Sequence, residues 1–221
     1  MNDTLGHASR QHTARVAGIA YVVTILAGLF AEAYARGSLL IANDPTRTAA
    51  NLLDAEVLYR SGILADCLML GAYLVVTAML YRLFKPVHAG VSLVAAFFSL
   101  LGLALLVAAT GMLKLPPLQP GYAYDVLRLH GAIYNMTDLF FGPYCLLIGW
   151  LAVRSDMLPK PIGWLMELAG VVFLVEAIAG FVAPVFSRQL PDALPLVTLV
   201  GESAIALWLA IFGIRRENAH A

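Results

Sequence analysis

Charge is scarce in this 221-residue sequence: Asp, Glu, Lys and Arg make up 13% of it, against roughly 25% in soluble domains. The charges cancel to a formal net charge of zero and form no basic run, which argues against nucleic acid as a partner. Cysteine is nearly missing. Cys67 and Cys145 both fall in apolar stretches with no CxxC pattern, so they read as buried, unreactive thiols and not as a disulfide or metal pair. Lys85, Lys114 and Lys160 all lie at the ends of apolar runs, which leaves no amine for a retinal Schiff base. His130 alone among the histidines belongs to a polar helix face; His7, His12 and His220 are in tails and His88 opens a helix. One imidazole is few for a zinc site and too few for a doubly ligated haem, so no metal site is expected and the question of a cofactor stays open. GxSxG and HExxH are missing, which removes the usual nucleophile and metal pair of a protease, and no helix repeats arginine as a voltage sensor would. The longest segment between apolar runs, 36–61, is too short for a soluble domain.

What the sequence does have is hydrophobicity. Apolar residues reach 61% and mean hydropathy +0.81, more than one soluble core can hide. Stretches at 16–35, 62–83, 87–113, 131–153, 162–186 and 194–214 each reach the about 20 residues that cross a hydrocarbon core of roughly 30 Å. The fold class is all-α, an integral membrane bundle of six transmembrane helices. It forms one domain over 16–214, between tails at 1–15 and 215–221. Arg10 and Arg15 ahead of an apolar run outline a secretory signal, but the run continues to Ala35 and five more follow, so a retained first helix is expected.

Lysine and arginine near the span ends set orientation. With the N-terminus inside, eight face the cytoplasm (Arg10, Arg15, Arg82, Lys85, Arg154, Lys160, Arg215, Arg216) and six face out (Arg36, Arg47, Arg60, Lys114, Arg128, Arg188). Both termini are therefore expected in the cytoplasm. Inner connections are short. The outer ones are longer: Asn43-Asp44-Pro45 reads as an N-cap followed by proline at the first helical position, opening a short helix through Asp54. Pro116, Pro117, Pro120 and Gly121 break the chain before Tyr122–Leu129, a second candidate helix lying on the outer surface. Asp66 and Asp138 lie 72 residues apart, as do Arg82 and Arg154, which points to helices two and three repeated as four and five. Paired glycines (18 and 28, 102 and 111, 163 and 170) allow close helix packing and leave room for a homodimer.

An ionisable side chain within the bilayer costs about 2.5–3.5 kcal/mol on insertion scales, so it turns inward and finds a partner. Glu32, Asp66, Asp138, Glu167, Glu176 and Glu202 sit within or at the edges of spans, most of them toward the outer half. Glu32 and Arg36 are four apart and can pair in place. Tyr59, Asp66, Tyr73 and Thr77 form one stripe on helix two, with Arg60 about a quarter turn away. On helix four His130, Tyr134, Thr137, Asp138 and Phe141 share a face flanked by Asn135, and Pro143 frees the carbonyl near Leu139. The candidate binding set is Glu32, Arg36, Arg60, Asp66, Arg128, His130, Asn135, Asp138, Glu176 and Glu202. Three readings fit it. The acids can be structural, tying helices together. They can line an outer-leaflet cavity that binds or moves a small molecule or lipid, with Arg36, Arg60 and Arg128 meeting anionic groups at its rim. They can also serve a lipid-modifying enzyme or hydrolase.

Several stretches together carry a family resemblance: Arg15-Val-Ala-Gly-Ile-Ala-Tyr21 running to Gly28-Leu-Phe-Ala-Glu32, Arg60-Ser-Gly-Ile-Leu-Ala-Asp66, His130 leading to Leu139-Phe-Phe-Gly142, Leu158-Pro-Lys-Pro-Ile-Gly163, and Gly201-Glu202. From about Arg15 to Ile214 the chain resembles a bacterial family of multi-pass membrane proteins defined as a domain of unknown function (number 4386). The resemblance implies a place in the bacterial inner membrane. It brings no activity, substrate or catalytic residue to carry over, so a subunit of a larger membrane complex is a further expectation.

Overall fold

A helix satisfies its own backbone hydrogen bonds, which is the condition for crossing hydrocarbon, and runs rich in Leu and Ala adopt it at little cost. A computed structural model of the chain describes residues 2–113, 120–187, 189–191 and 193–215, apart from the side chains of 2–7, 120, 121 and 184. Lys114, Pro116, Pro117, Arg188, Asp192, Arg216 and His220 lie outside the described residues. Within them every regular element is a helix, and six spans are long and apolar enough to cross a membrane. The first span, Ala8–Leu39, joins α1 (Asn2–Leu29), a π-helical stretch (Phe30–Arg36) and α2 (Gly37–Leu39). After α3 (Pro45–Asp54) come α4 (Glu56–Phe84) and α5 (Ala89–Met112). The fourth span, Tyr122–Arg154, is divided between α6 (Pro120–Met136) and α7 (Asp138–Arg154). Then follow α8 (Lys160–Val182), a single turn α9 (Pro184–Ser187) and α10 (Leu194–Ile211).

The short helix at Pro45 forms as its local chemistry demands. Asp44 accepts the Arg47 amide at 2.9 Å, and Pro45 gives up an N–H that would have had no partner. Three expected boundaries differ. The first helix does not end at Ala35; the π stretch, in which the Gly37 amide reaches back to the Glu32 carbonyl, carries Arg36 inside the span. Nor is Tyr122–Leu129 a separate surface helix. Its Ala123 and Leu127 pack with Leu39, Leu52 and Leu113 in a small core beneath α3, and the helix runs on unbroken to Met136. The interruption comes at Thr137, whose amide and hydroxyl both bond the Tyr134 carbonyl, at 3.0 and 2.6 Å. That three-residue reach breaks the ladder upstream of Pro143, which α7 then accommodates. The fifth span stops at Val182 instead of 186, because Pro184 offers no amide to continue it.

Consecutive spans pack side by side: α1 on α4, α4 on α5, α5 on α7, α7 on α8 and α8 on α10, and α10 closes back on α1. The result is a ring of antiparallel helices around one core containing Tyr21, Tyr73, Val76, Leu80, Tyr144, Ile148 and Ile205. Ile19, Leu64, Phe97, Val175 and Leu207 point outward, where lipid tails take the place of water. Lipid gives such helices no hydrophobic reason to associate, so close backbone approach must hold them. The α7–α8 seam does this with glycine. A Cβ on Gly149 would lie 2.7 Å from the Gly163 carbonyl, and one on Gly170 would lie 2.7 Å from the Gly142 carbonyl. Gly18 is likewise closed off by the Leu209–Ala210 backbone of α10, whereas Gly111 faces open space.

The N-terminal part of α1 and the C-terminal end of α10 meet at one end of the ring, with the α4–α5 and α7–α8 turns. Gln11 ties them: its amide donates to the Phe212 carbonyl and accepts from the Ile214 amide, each at 2.8 Å, and Gly213 takes the left-handed turn that this needs (φ +70°). The Arg215 amide then bonds the Met157 carbonyl. Arg154 lies over Trp150 at 4.3 Å and Arg215 over Trp208 at 5.8 Å, a basic and aromatic fringe of the kind found at a membrane interface.

Candidate functional site

Arg36 organises the first part of the site. Its two terminal nitrogens bind the Asp66 carboxylate in a fork, at 2.6 and 2.8 Å, and one of them also bonds Glu32 at 2.7 Å. The Arg36 and Asp66 side chains are only 8% and 1% exposed, so this is a buried charge pair joining spans one and two. His130 from α6 is buried as well, with its Nε2 at 3.7 Å from the same Glu32 oxygen. Spacing alone anticipated the Glu32–Arg36 pair. It also placed Arg36 at an outer rim awaiting an anion, and there the structure differs: the guanidinium is already committed to two carboxylates.

Glu32 links this cluster to a cavity of about 780 Å³ in the half of the ring away from the termini. Four carboxylic side chains stand on its wall: Glu32 from span one, Asp138 at the start of α7, Glu176 from α8 and Glu202 from α10. Asn135, beside the Thr137 break, completes the polar lining from helix four. The floor is aromatic. Tyr21 donates to Glu202 at 2.7 Å, and Tyr73 stacks on Phe141 with ring centres 5.1 Å apart. Tyr73 meets Tyr144 edge-on at 6.0 Å, so the tyrosines of the two expected repeat units touch at the centre of the ring. The hydroxyl of Tyr73 is buried beside Glu202 and the Tyr21 and Tyr144 hydroxyls without a hydrogen bond of good geometry. Asp138 and Glu176 make no ion pair among the described residues.

The family described as "Domain of unknown function (DUF4386)" matches residues 16–213, nearly the whole chain and all six spans. The chain belongs to this family. It is also similar to an uncharacterized protein of Archaeoglobus fulgidus, 25% identical over 138 residues, which is 62% of this chain and 75% of that protein. No solved structure matches. The family brings no reaction or ligand, so the site must be read from its own residues.

The ten candidate residues divide into three groups. Glu32, Asn135, Asp138, Glu176 and Glu202 line the cavity, while Arg36, Asp66 and His130 form the buried cluster behind Glu32. Arg60 and Arg128 join neither. Arg60 is exposed and paired with Glu56 one turn back, and exposed Arg128 rests over the Tyr124 ring. Arg60 points away from the ring because about a quarter turn of helix separates it from the Asp66 stripe, and Arg128, two residues before buried His130, lies on nearly the opposite side of its helix. Tyr21 was not among the candidates, although Tyr21, Gly28 and Glu32 mark one face of the first helix. Thr198, which precedes Glu202 by one turn on α10, was missed in the same way.

Proposed function

We propose that the protein binds a small molecule or lipid in the acid-lined cavity and moves it within or across the membrane. The observation that carries this reading is a cavity of about 780 Å³ walled by carboxylates from four different spans. Its volume falls in the usual range for small-molecule sites, roughly 300–1,000 Å³. Intramembrane acids cost insertion energy and ordinarily mark a pathway or a site. The broken fourth span supports the reading too, since interrupted helices tend to line transporter binding sites. Basic and aromatic side chains at the end that bears the termini favour that end as cytoplasmic, with the cavity toward the outer leaflet of the cell's inner membrane.

Native mass spectrometry of the protein released gently from its own membranes tests the proposal. A stoichiometric adduct is expected, and Gly180→Phe should abolish it. Gly180 lines the cavity and a Cβ there meets nothing within 4 Å, so the substitution fills the space without forcing the helices apart. An adduct retained in Gly180→Phe, or a bare protein from membranes, would refute the reading.

A further inference from the structure

Resting on that reading, we propose that the ligand is an organic cation, held between the carboxylates of Asp138, Glu176 and Glu202 and the tyrosine floor. The charge balance of the wall points this way. Among the described residues, no lysine or arginine lines the cavity. Arg36, which reaches the wall through Glu32, already serves Asp66 and Glu32. Three carboxylic groups are thus left on the wall with no basic partner among the described residues, and Glu202 is met by tyrosine hydroxyls alone, Tyr21 donating to it at 2.7 Å with Tyr73 beside it. Inside a low-dielectric wall the ionised form of a carboxyl needs a counter-charge beside it, which a cationic ligand would supply.

The floor adds an independent observation. Tyr73 is only 5% exposed and stands on the cavity wall, and its hydroxyl, beside Glu202 and the Tyr21 and Tyr144 hydroxyls, makes no hydrogen bond of good geometry to them. A buried polar group of that kind leaves desolvation uncompensated, unless a ligand or water meets it. Its ring is part of a nest with Tyr21 and Phe141, at centroid distances of 5.6 and 5.1 Å. Phe173 and Phe181 on the same wall are more open, and an open aromatic face attracts a desolvated cation and gives an anion nothing. An anionic headgroup, by contrast, would meet carboxylates on several sides.

The test uses three bulky probes of similar shape on the full-length protein in neutral detergent: tetraphenylphosphonium, tetraphenylborate and triphenylphosphine oxide. Isothermal titration is expected to show the phosphonium binding at least about tenfold more tightly than the other two, and not binding to Gly180→Phe. Glu202→Gln and Glu176→Gln should each weaken it by about tenfold, the loss of one facing charge. Glu176 is half-buried on α8, so its variant remains a fair test if Glu202→Gln folds poorly. Equal or tighter binding of the neutral or anionic probe in the same cavity would overturn the inference while leaving the cavity a binding site. If none of the three binds and Gly180→Phe also leaves the native adduct unchanged, the binding reading falls and this inference with it.

Discussion

Asp66→Asn removes the carboxylate that holds both terminal nitrogens of Arg36 and leaves a buried guanidinium with Glu32 as its only acid partner. Side-chain exposures of 8% and 1% mean that water does little to soften the loss. Removing one member of a buried ion pair costs about 3–5 kcal/mol. Glu32 and the new amide retain part of the pairing, which places the expected loss near 3 kcal/mol. At about 2–4 °C per kcal/mol for a chain of this size, Tm falls by about 6–12 °C. The measurement is thermal unfolding in detergent, followed by tryptophan-detected size exclusion. Arg36→Met with Asp66→Leu removes both charges together and should recover to within about 1 kcal/mol of the parent, since apolar replacements of a buried pair are often neutral. A melt within about 2 °C of the parent for Asp66→Asn refutes the reasoning. So does a double variant that loses the sum of its two single variants, which would mean no coupling between the side chains.

The α7–α8 seam makes a second case: Gly149→Ala and Gly163→Ala, whose new Cβ would meet backbone atoms, should each lower Tm by about 4–8 °C, an overpacking cost of about 3 kcal/mol less about 1 kcal/mol gained in helix propensity. Gly111→Ala, where the new Cβ meets nothing within 4 Å, should not; equal shifts in all three would sink the packing argument. Gln11→Ala should expose the end of α10 to carboxypeptidase and speed amide exchange at Ile214, because both bonds that clamp this turn to α1 are lost. Unchanged digestion would mean the clamp is dispensable. For orientation, a cysteine replacing Asn43 should react with an impermeant maleimide on intact cells and one replacing Arg215 only after permeabilisation, in a background without Cys67 and Cys145. The reverse pattern would invert the proposed topology.

The class of this protein was legible in its hydropathy, and so was α3, because an Asp-Pro cap is chemistry between near neighbours in the chain. Glu32, Asp138, Glu176 and Glu202 could be picked out as intramembrane acids for the same reason, since their cost is set by the residues around them in one helix. Which acid is neutralised was another matter. Asp66 and Asp138 look equivalent in the proposed repeat, yet Asp66 is locked by an arginine 30 residues away and Asp138 lines the cavity. Arg36 was taken for a rim residue because apolar counting ends the first helix at Ala35. What keeps the helix going is the pair of carboxylates that makes its guanidinium tolerable inside the span.

The sequence by itself determined that the chain crosses a membrane repeatedly as helices, because some 20 apolar residues decide that question locally against roughly 30 Å of hydrocarbon. Only the tertiary structure decided how the charges are shared. The closing of α10 on α1, the glycine seam of α7 and α8, and the break at Thr137 bring residues from distant spans to one place. Those contacts depend on side-chain shape and on backbone approach of a few ångströms, quantities that no single helix contains.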